Sequence, residues 1–365
     1  MIGLPNDERQ RLGALLDHTP QSEVMAQIPQ FSQAEIHNLV PSPADTPDAL
    51  GLLVFNMERG VHLDELGDFL ETCPEVRPYD VILANELDDG CVRSGQKDTA
   101  RELAQRLGMN YVFGLEFIEL VNGEDAKGFH GNAIFSRWPI KRAQIVRLPE
   151  EYNWYFDRQR RIGDRLAILA ELDVNGKSVV VGTIHLENRT HGPGRQAQLE
   201  AVLKAADEMF PGMPVALGGD LNTNTFDGRD KDAIAAIAAD PALQRRCLED
   251  VAAWEGCLPA AQAAGYQAVP ELSATPMAES TPYYTGYQAV PELPIVTRRK
   301  PLPDGTFLPL RLDWLLLRDM AAVESRTIST CREVWSFAVP GSALEAFGGQ
   351  ELSDHNAVWA TCTLK

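Results

Sequence analysis

From residue 50 onward the chain alternates short apolar blocks with polar, turn-forming stretches. The blocks are LLVF (52–55), VILA (81–84), NAIFS (132–136), LAILAEL (166–172), SVVVGTI (178–184), VALGG (215–219), WLLL (314–317) and NAVWATCTL (356–364). They are short and rich in β-branched and aliphatic residues, which predicts strands. Two stretches instead follow a helical period. Ala100, Leu103, Ala104 and Leu107 share one face behind a capping box, Thr99-Ala-Arg-Glu102, with Gly108 as the stop. Leu199, Val202, Leu203 and Ala206 predict a second helix over 195–210. Many strands and fewer helices imply stacked sheets covered by helices.

Two regions stand apart. In residues 1–48, Leu12, Leu15 and Leu16 predict one short helix, and Ile36, Leu39 and Val40 a second. Pro41, Pro43 and Pro47 then stop any helix. This reads as a helical N-terminal extension packed on a main domain of residues 49–365. Residues 258–310 are rich in Pro, Gly and Tyr, and the octapeptide GYQAVPEL occurs there at 265–272 and again at 286–293. Two copies are too few for a solenoid. The segment reads as an inserted surface loop, or as a lid over a site.

Composition narrows the partners. The 365 residues carry a net charge of −19, so much of the surface repels polyanions and anionic membranes. Nucleic acid is thereby disfavoured as a substrate without being excluded. No apolar run reaches the ~18 residues of a membrane span, and the first residues lack the basic-then-apolar design of a secretory signal. The expectation is a soluble, cytoplasmic protein. Its six cysteines form no CxxC pair, so buried thiols are expected rather than a structural zinc site. FDRQRRIGDR (156–165) concentrates four arginines, a candidate phosphate-steering patch.

Polar residues sit at the ends of the apolar blocks. Asn56 follows LLVF, Glu86 follows VILAN, His185 follows VVVGTI, and Asp220 and Asn222 follow VALGG. Asp313 precedes WLLL, and Asp354-His355 precede NAVWATCTL. Antiparallel neighbours bring the end of one strand beside the start of the next, so these groups can share one sheet edge. Glu86, Asp220 and Asp354 are hard oxygen donors suited to Mg²⁺ or Mn²⁺. His355 suits a base that activates water near neutral pH. Asp313 is the candidate to fix its tautomer. Asn56 and Asn222 can bond a phosphate, a water or a metal ligand without adding charge. His185 can donate to a phosphate oxygen as charge develops there. His130, Asn132 and Arg189 are candidate substrate contacts, with His191 and Arg195 in the same loop as Arg189.

The ordered set FNMERG (55–60), DVILANE (80–86), GNAIFSRWPI (131–140), VVGTIHLE (180–187), GGDLNT (218–223), RLDWLLL (311–317) and LSDHNAV (352–358) resembles the endonuclease/exonuclease/phosphatase superfamily. The resemblance runs from about residue 50 to 365. It implies a four-layer α/β/β/α sandwich of two mainly antiparallel sheets flanked by helices, deoxyribonuclease I-like, and Mg²⁺-dependent cleavage of phosphate esters. By position, Glu86 resembles the family's metal-binding glutamate and Asn56 the asparagine beside it. Asp220 and Asn222 resemble the pair that orients water and phosphate, and His185 the histidine that contacts the scissile phosphate. Asp313 resembles the partner of the catalytic histidine, and Asp354 and His355 the terminal DH pair. Asn85 stands where many members have Gln. The expected activity is hydrolysis of a small or medium phosphate ester, with nuclease action and a non-catalytic binding module as the alternatives.

Overall fold

A computed structural model describes residues 1–45, 47–269 and 295–364. In chain order the strands are β1 (Ala34–His37), β2 (Leu50–Arg59), β3 (Val81–Asp89), β4 (Asn110–Glu119), β5 (Phe129–Ser136), β6 (Ile140–Arg147), β7 (Arg161–Gly163), β8 (Leu166–Val174), β9 (Lys177–His185), β10 (Val215–Asp220), β11 (Gln267–Val269), β12 (Arg298–Pro301), β13 (Phe307–Leu310), β14 (Asp313–Arg318), β15 (Met320–Ile328) and β16 (Ala357–Leu364). The helices that frame them include α1 (Asn6–Leu15), α2 (Gln21–Met25), α3 (Leu63–Thr72), α4 (Thr99–Leu107) and α5 (Gly192–Met209).

One sheet has the order β1-β4-β5-β3-β2-β16-β15, with β7 added against β4. The second has the order β11-β14-β10-β9-β8-β6, and β12 and β13 form a separate hairpin. Most pairs are antiparallel. The exceptions, β2 with β3 and β9 with β10, are parallel and are joined through α3 and α5. Such a crossover returns the chain to the same starting edge, so both strands of each pair finish at the opposite edge. The candidate chemistry gathers at that edge.

Side-chain alternation builds the layers. On β2, Leu52 and Val54 enter the core between the sheets, with Ile168, Val181 and Leu315 facing them. Leu53, Phe55 and Met57 take the other face, against Leu66 and Phe69 of α3 and Leu103 of α4. On the far side, Val180, Leu217 and Leu316 meet Leu199, Val202 and Leu203 of α5. The result is the helix–sheet–sheet–helix sandwich that the resemblance implies. All six cysteines are buried and free. Among the described residues no helix is long and apolar enough to cross a membrane.

Three sequence expectations need correction. Ile36, Leu39 and Val40 do not form a second helix. Residues 34–37 are strand β1, which pairs with β4 with Ile36 opposite Val112. An unpaired sheet edge offered this stretch a ladder, and Ala34 and Ile36 pack on the inter-sheet core. The N-terminal segment therefore shares a sheet with the main body. The cap of α4 lies one residue earlier than the capping box predicts: Asp98 accepts from Arg101 N (3.1 Å). The Thr99 hydroxyl instead donates to Asp88 O (2.7 Å). The described parts of 258–310 are also more than a surface loop, because they supply β11 on the second sheet and the β12–β13 hairpin. The first GYQAVPEL copy enters β11, and the second lies outside the described residues.

Candidate active site

Strand register assembles the centre. Asp220, at the end of β10, lies opposite His185 of β9 on one side and Asp313 of β14 on the other. Across the sandwich, Asn56 of β2 lies opposite Asn85 of β3. His355 precedes β16, which pairs with β2.

Three glutamates sit at breaks in this regular pairing. Register shifts fall between Asn56 and Arg59 on β2, between Ala84 and Leu87 on β3, and between Leu115 and Phe117 on β4. Glu58, Glu86 and Glu116 occupy those breaks, where a bulge turns a side chain away from its regular direction. Glu58, Arg59, Glu86 and Asn222 all have positive φ, at 44°, 68°, 54° and 47°. Strained non-glycine backbone of this kind costs about 1–3 kcal/mol per residue, and it persists only where surrounding contacts enforce it.

Amides supply those contacts. Asn85 Nδ2 donates to Asn132 Oδ1 (3.2 Å), Thr183 Oγ1 (3.2 Å) and Ile184 O (3.1 Å). Its Oδ1 accepts from Asp220 N (2.8 Å), so Asn85 ties the two sheets together beneath the centre. Asn132 Oδ1 accepts from Glu86 N (3.2 Å) and helps to hold the strained turn. Asn132 is thus fully buried behind Glu86, not on a substrate surface. Asn56 Nδ2 reaches both Glu86 Oε1 and Asp220 Oδ2, each at 3.3 Å. Asn222 donates its side-chain amide to Leu186 O (2.9 Å), while its backbone N–H donates to Asp220 Oδ1 (2.9 Å).

The imidazole of His355 is held between carboxylates. Its Nδ1 lies 2.8 Å from Asp313 Oδ2, and its Nε2 faces Asp220 Oδ2 at 3.7 Å. Burial disfavours the charged ring, but Asp313 and Asp220 outweigh it and push the pKa up to about 9. Burial raises Asp220 as well. Burial alone would also raise Glu86, yet Arg59, His130, His185 and His355 together hold it well below the usual carboxylate range.

A second imidazole faces Asp220 from the other side. His185 Nε2 is 3.6 Å from Asp220 Oδ2, and its Nδ1 is 3.1 Å from Glu116 Oε2. Arg165 Nη1 donates to Glu116 Oε1 (3.2 Å), and Arg165 Nε to Glu187 Oε2 (3.1 Å). Trp154 Nε1 also donates to Glu187 Oε2 (2.8 Å). Burial opposes ionisation of Glu116, but His185 and Arg165 overcome it and lower the pKa to about 2.

Of the other candidates, Asp354 sits at the edge of the centre and the rest fall elsewhere. The Asp354 carboxylate is in an ion pair with Arg298, and its N–H donates to Glu58 Oε2 (3.0 Å). Its Oδ1 also lies 3.8 Å from His355 Nε2, so it sits on the β12 side of the cluster formed by Asp220, Asp313 and His355. His130 is not at the rim. It is buried, with Nδ1 2.8 Å from Asp88 Oδ1. Arg195 is fully buried against Glu255, with Nη2 2.6 Å from Oε1. Arg189 is half-buried, with its guanidinium 5.3 Å from the Trp154 ring centre. The arginine patch is split: Arg161 lies buried between Phe117 and Trp154, 3.8 Å from each ring centre, and Arg165 serves the His185 network.

The sequence reading passed over Glu116, Glu58 and Arg298, and took Arg165 only as part of the arginine patch. For Glu116 a signal existed, since a glutamate inside the apolar run YVFGLEFIE needs a buried partner.

The donor set suits a hard divalent cation. Asp220, Asp313 and His355 bring ligand atoms within 4.8 Å of one another. Asp313 Oδ1 is buried with no hydrogen-bond partner. Glu86 has a single side-chain hydrogen bond, from Asn56, and no ion pair among the described residues. Carboxylate oxygens so close together repel unless positive charge lies among them.

A fold with this edge and this acid–imidazole arrangement has known relatives. The Endonuclease/Exonuclease/phosphatase family model matches residues 53–355, and the chain belongs to that family. Its members are phosphoesterase hydrolases. Among solved structures, the human Nocturnin catalytic domain with bound sulfate is similar at 16% identity and a TM-score of 0.50, over 92% of this chain and 98% of that one. A family protein from Beutenbergia cavernae gives 18% identity, 87% and 72% coverage, and a TM-score of 0.47. D. rerio TDP2 complexed with single-strand DNA product gives 16%, 87% and 100%, and 0.49. No curated protein matches the sequence.

Proposed function

We propose that the protein is a divalent-metal-dependent phosphoric ester hydrolase acting on a small or medium phosphorylated substrate, with Mg²⁺ or Mn²⁺ as cofactor. The observation that carries this reading is the Asp313–His355 pair aimed at Asp220, beside a Glu86 carboxylate with no ion pair among the described residues.

Glu86, Asn56 and Asp220 would hold the cation, with Asp313 Oδ1 and Asp354 as the further oxygens nearby. When bound, Mg²⁺ or Mn²⁺ supplies the charge that polarises a phosphoryl oxygen, steadies the leaving oxygen and offsets the carboxylate field that keeps His355 protonated. Asp313 fixes the Nδ1 proton of His355 and so leaves Nε2 as the basic atom. A water between Nε2 and Asp220 is oriented by the carboxylate and loses its proton to the ring. His185, oriented by Glu116, presents its Nε2 side to the same space and donates to a phosphoryl oxygen as negative charge builds. The Asn222 backbone N–H holds Asp220 Oδ1 in place.

Small substrates are favoured over nucleic acid because Arg161 and Arg165 are buried. That removes half of the arginines of 156–165 from any contact with a polymer backbone, in a chain of net charge −19. The test is hydrolysis of bis-p-nitrophenyl phosphate, a panel of phosphorylated metabolites, and DNA and RNA, with Mg²⁺, Mn²⁺ or EDTA. Turnover of small esters that EDTA abolishes is expected. Turnover that survives EDTA, or cleavage confined to nucleic acid, contradicts the reading.

A further inference from the structure

Asp313 and His355 come from different sheets. Asp313 opens β14 of the second sheet, and His355 precedes β16 of the first. Apolar packing between sheets is non-directional, so by itself it does not set the 2.8 Å contact between these two side chains. Hydrogen bonds are directional and can set it.

The segment 296–299 supplies such bonds to both sides. Toward the second sheet, Thr297 Oγ1 accepts from Leu312 N (2.8 Å) and Asp313 N (3.0 Å), and Thr297 N donates to Leu310 O (2.9 Å). Toward the first, Thr297 O accepts from Asn356 N (2.7 Å), and Val296 O accepts from Asn356 Nδ2 (2.8 Å). Arg298 forms an antiparallel bridge with His355 itself. One residue, Thr297, is thus bonded to Asp313 and to the neighbour of His355.

The two bonds to the hydroxyl lie where the chain leaves the β12–β13 hairpin for β14. Strand β10 holds one side of this point, with Asp313 opposite Asp220. On the other side, β11 pairs with β14 only as far as Leu315, so among the described residues its ladder does not reach Leu312 and Asp313. The Thr297 hydroxyl closes that side. All three residues are buried, so water is a poor substitute acceptor. A buried N–H that loses its acceptor is costly enough for the chain to shift toward another. Such a shift moves the Asp313 carboxylate against the ring that it orients.

We propose that Thr297 is a positioning residue, whose hydroxyl fixes Asp313 against His355 and so the orientation of the ring that takes the proton from water. Its effect on rate rests on the hydrolase reading above; its effect on the Asp313–His355 distance does not.

The experiment compares the wild type with Thr297→Val, which keeps the shape and removes the acceptor, and with Thr297→Ser, which keeps the hydroxyl. Steady-state hydrolysis of bis-p-nitrophenyl phosphate in Mg²⁺ gives kcat and KM, and crystal structures of the three proteins give the distance from Asp313 Oδ2 to His355 Nδ1. Thr297→Val should lose about 100-fold in kcat with KM little changed, and its distance should open beyond about 3.2 Å. Thr297→Ser should keep the wild-type kcat and distance. Wild-type kcat in Thr297→Val, an unchanged distance, or a Thr297→Ser as slow as Thr297→Val overturns the positioning role. Should Thr297→Val not fold, Thr297→Ser decides: wild-type turnover supports the role of the hydroxyl, and a loss of kcat overturns it. No hydrolysis by the wild type overturns the hydrolase reading, and the distances still decide the positioning role.

Discussion

The Nδ1 atom of His355 lies 2.8 Å from Oδ2 of Asp313, and both residues are almost wholly buried. The carboxylate accepts the Nδ1 proton, so the opposite nitrogen faces Asp220 with its lone pair available once the ring is neutral. Asp313→Asn keeps the shape but presents an amide that can favour the wrong tautomer. We expect kcat to fall by about 10²–10⁴-fold with KM little changed. Steady-state kinetics on a chromogenic diester checks this.

Glu86 lacks an ion pair among the described residues, and its backbone is strained into position. Glu86→Gln keeps the size and removes the charge. The Mg²⁺ concentration for half-maximal activity should rise by about 100-fold. A magnesium titration of initial rate reads the shift, and an unchanged midpoint would remove Glu86 from the cation site.

These two residues mark what the sequence made legible. Polar groups at the ends of apolar blocks located Asn56, Glu86, His185, Asp220, Asp313 and His355, because strand ends are where a sheet can expose chemistry. Strands such as β2, β9 and β10 were equally plain, since each is buried on both faces and reads as a continuous apolar run. β6 and β15 were missed because partly exposed faces dilute that signal with charge. β4 was missed because Gly114, Glu116 and Glu119 interrupt it, yet Glu116 is the partner of His185. The roles of Asn85 and Arg298 depend on contacts across the sandwich, from Asn85 to Asp220 and from Arg298 to Asp354. No local pattern encodes such contacts. Arg195 was misjudged for the same reason: it lies in α5 and not in the expected loop, and nothing local hinted at Glu255.

Arg195 and Glu255 form a fully buried pair far from any solvent screening. Removing one partner leaves the other charge buried and uncompensated. Arg195→Ala should therefore lower the unfolding free energy by about 3–5 kcal/mol. Chemical denaturation measures it. A loss under about 1 kcal/mol would mean that water reaches Glu255 in the variant.

Asp164 gives a pH signature away from the centre. Burial first, then Glu150, pushes its pKa up to about 8. The folded state therefore holds this proton more tightly than the unfolded chain does. Its contribution to stability is complete below the unfolded value and declines as pH rises toward about 8. Asp164→Asn keeps the oxygen that accepts from Arg165 N and removes the ionisation. The variant should melt about 2–4 °C above the wild type at pH 9, with the gap shrinking as pH falls toward 4. A constant gap across that range would mean that Asp164 titrates normally.

The central claim is that His355 deprotonates water for attack on a phosphate ester. The most direct measurement is the rate of bis-p-nitrophenyl phosphate hydrolysis in Mg²⁺ by the wild type and by His355→Ala at equal folded concentration. The account predicts a fall of about 10²–10⁴-fold in the variant. Full activity in His355→Ala would contradict it.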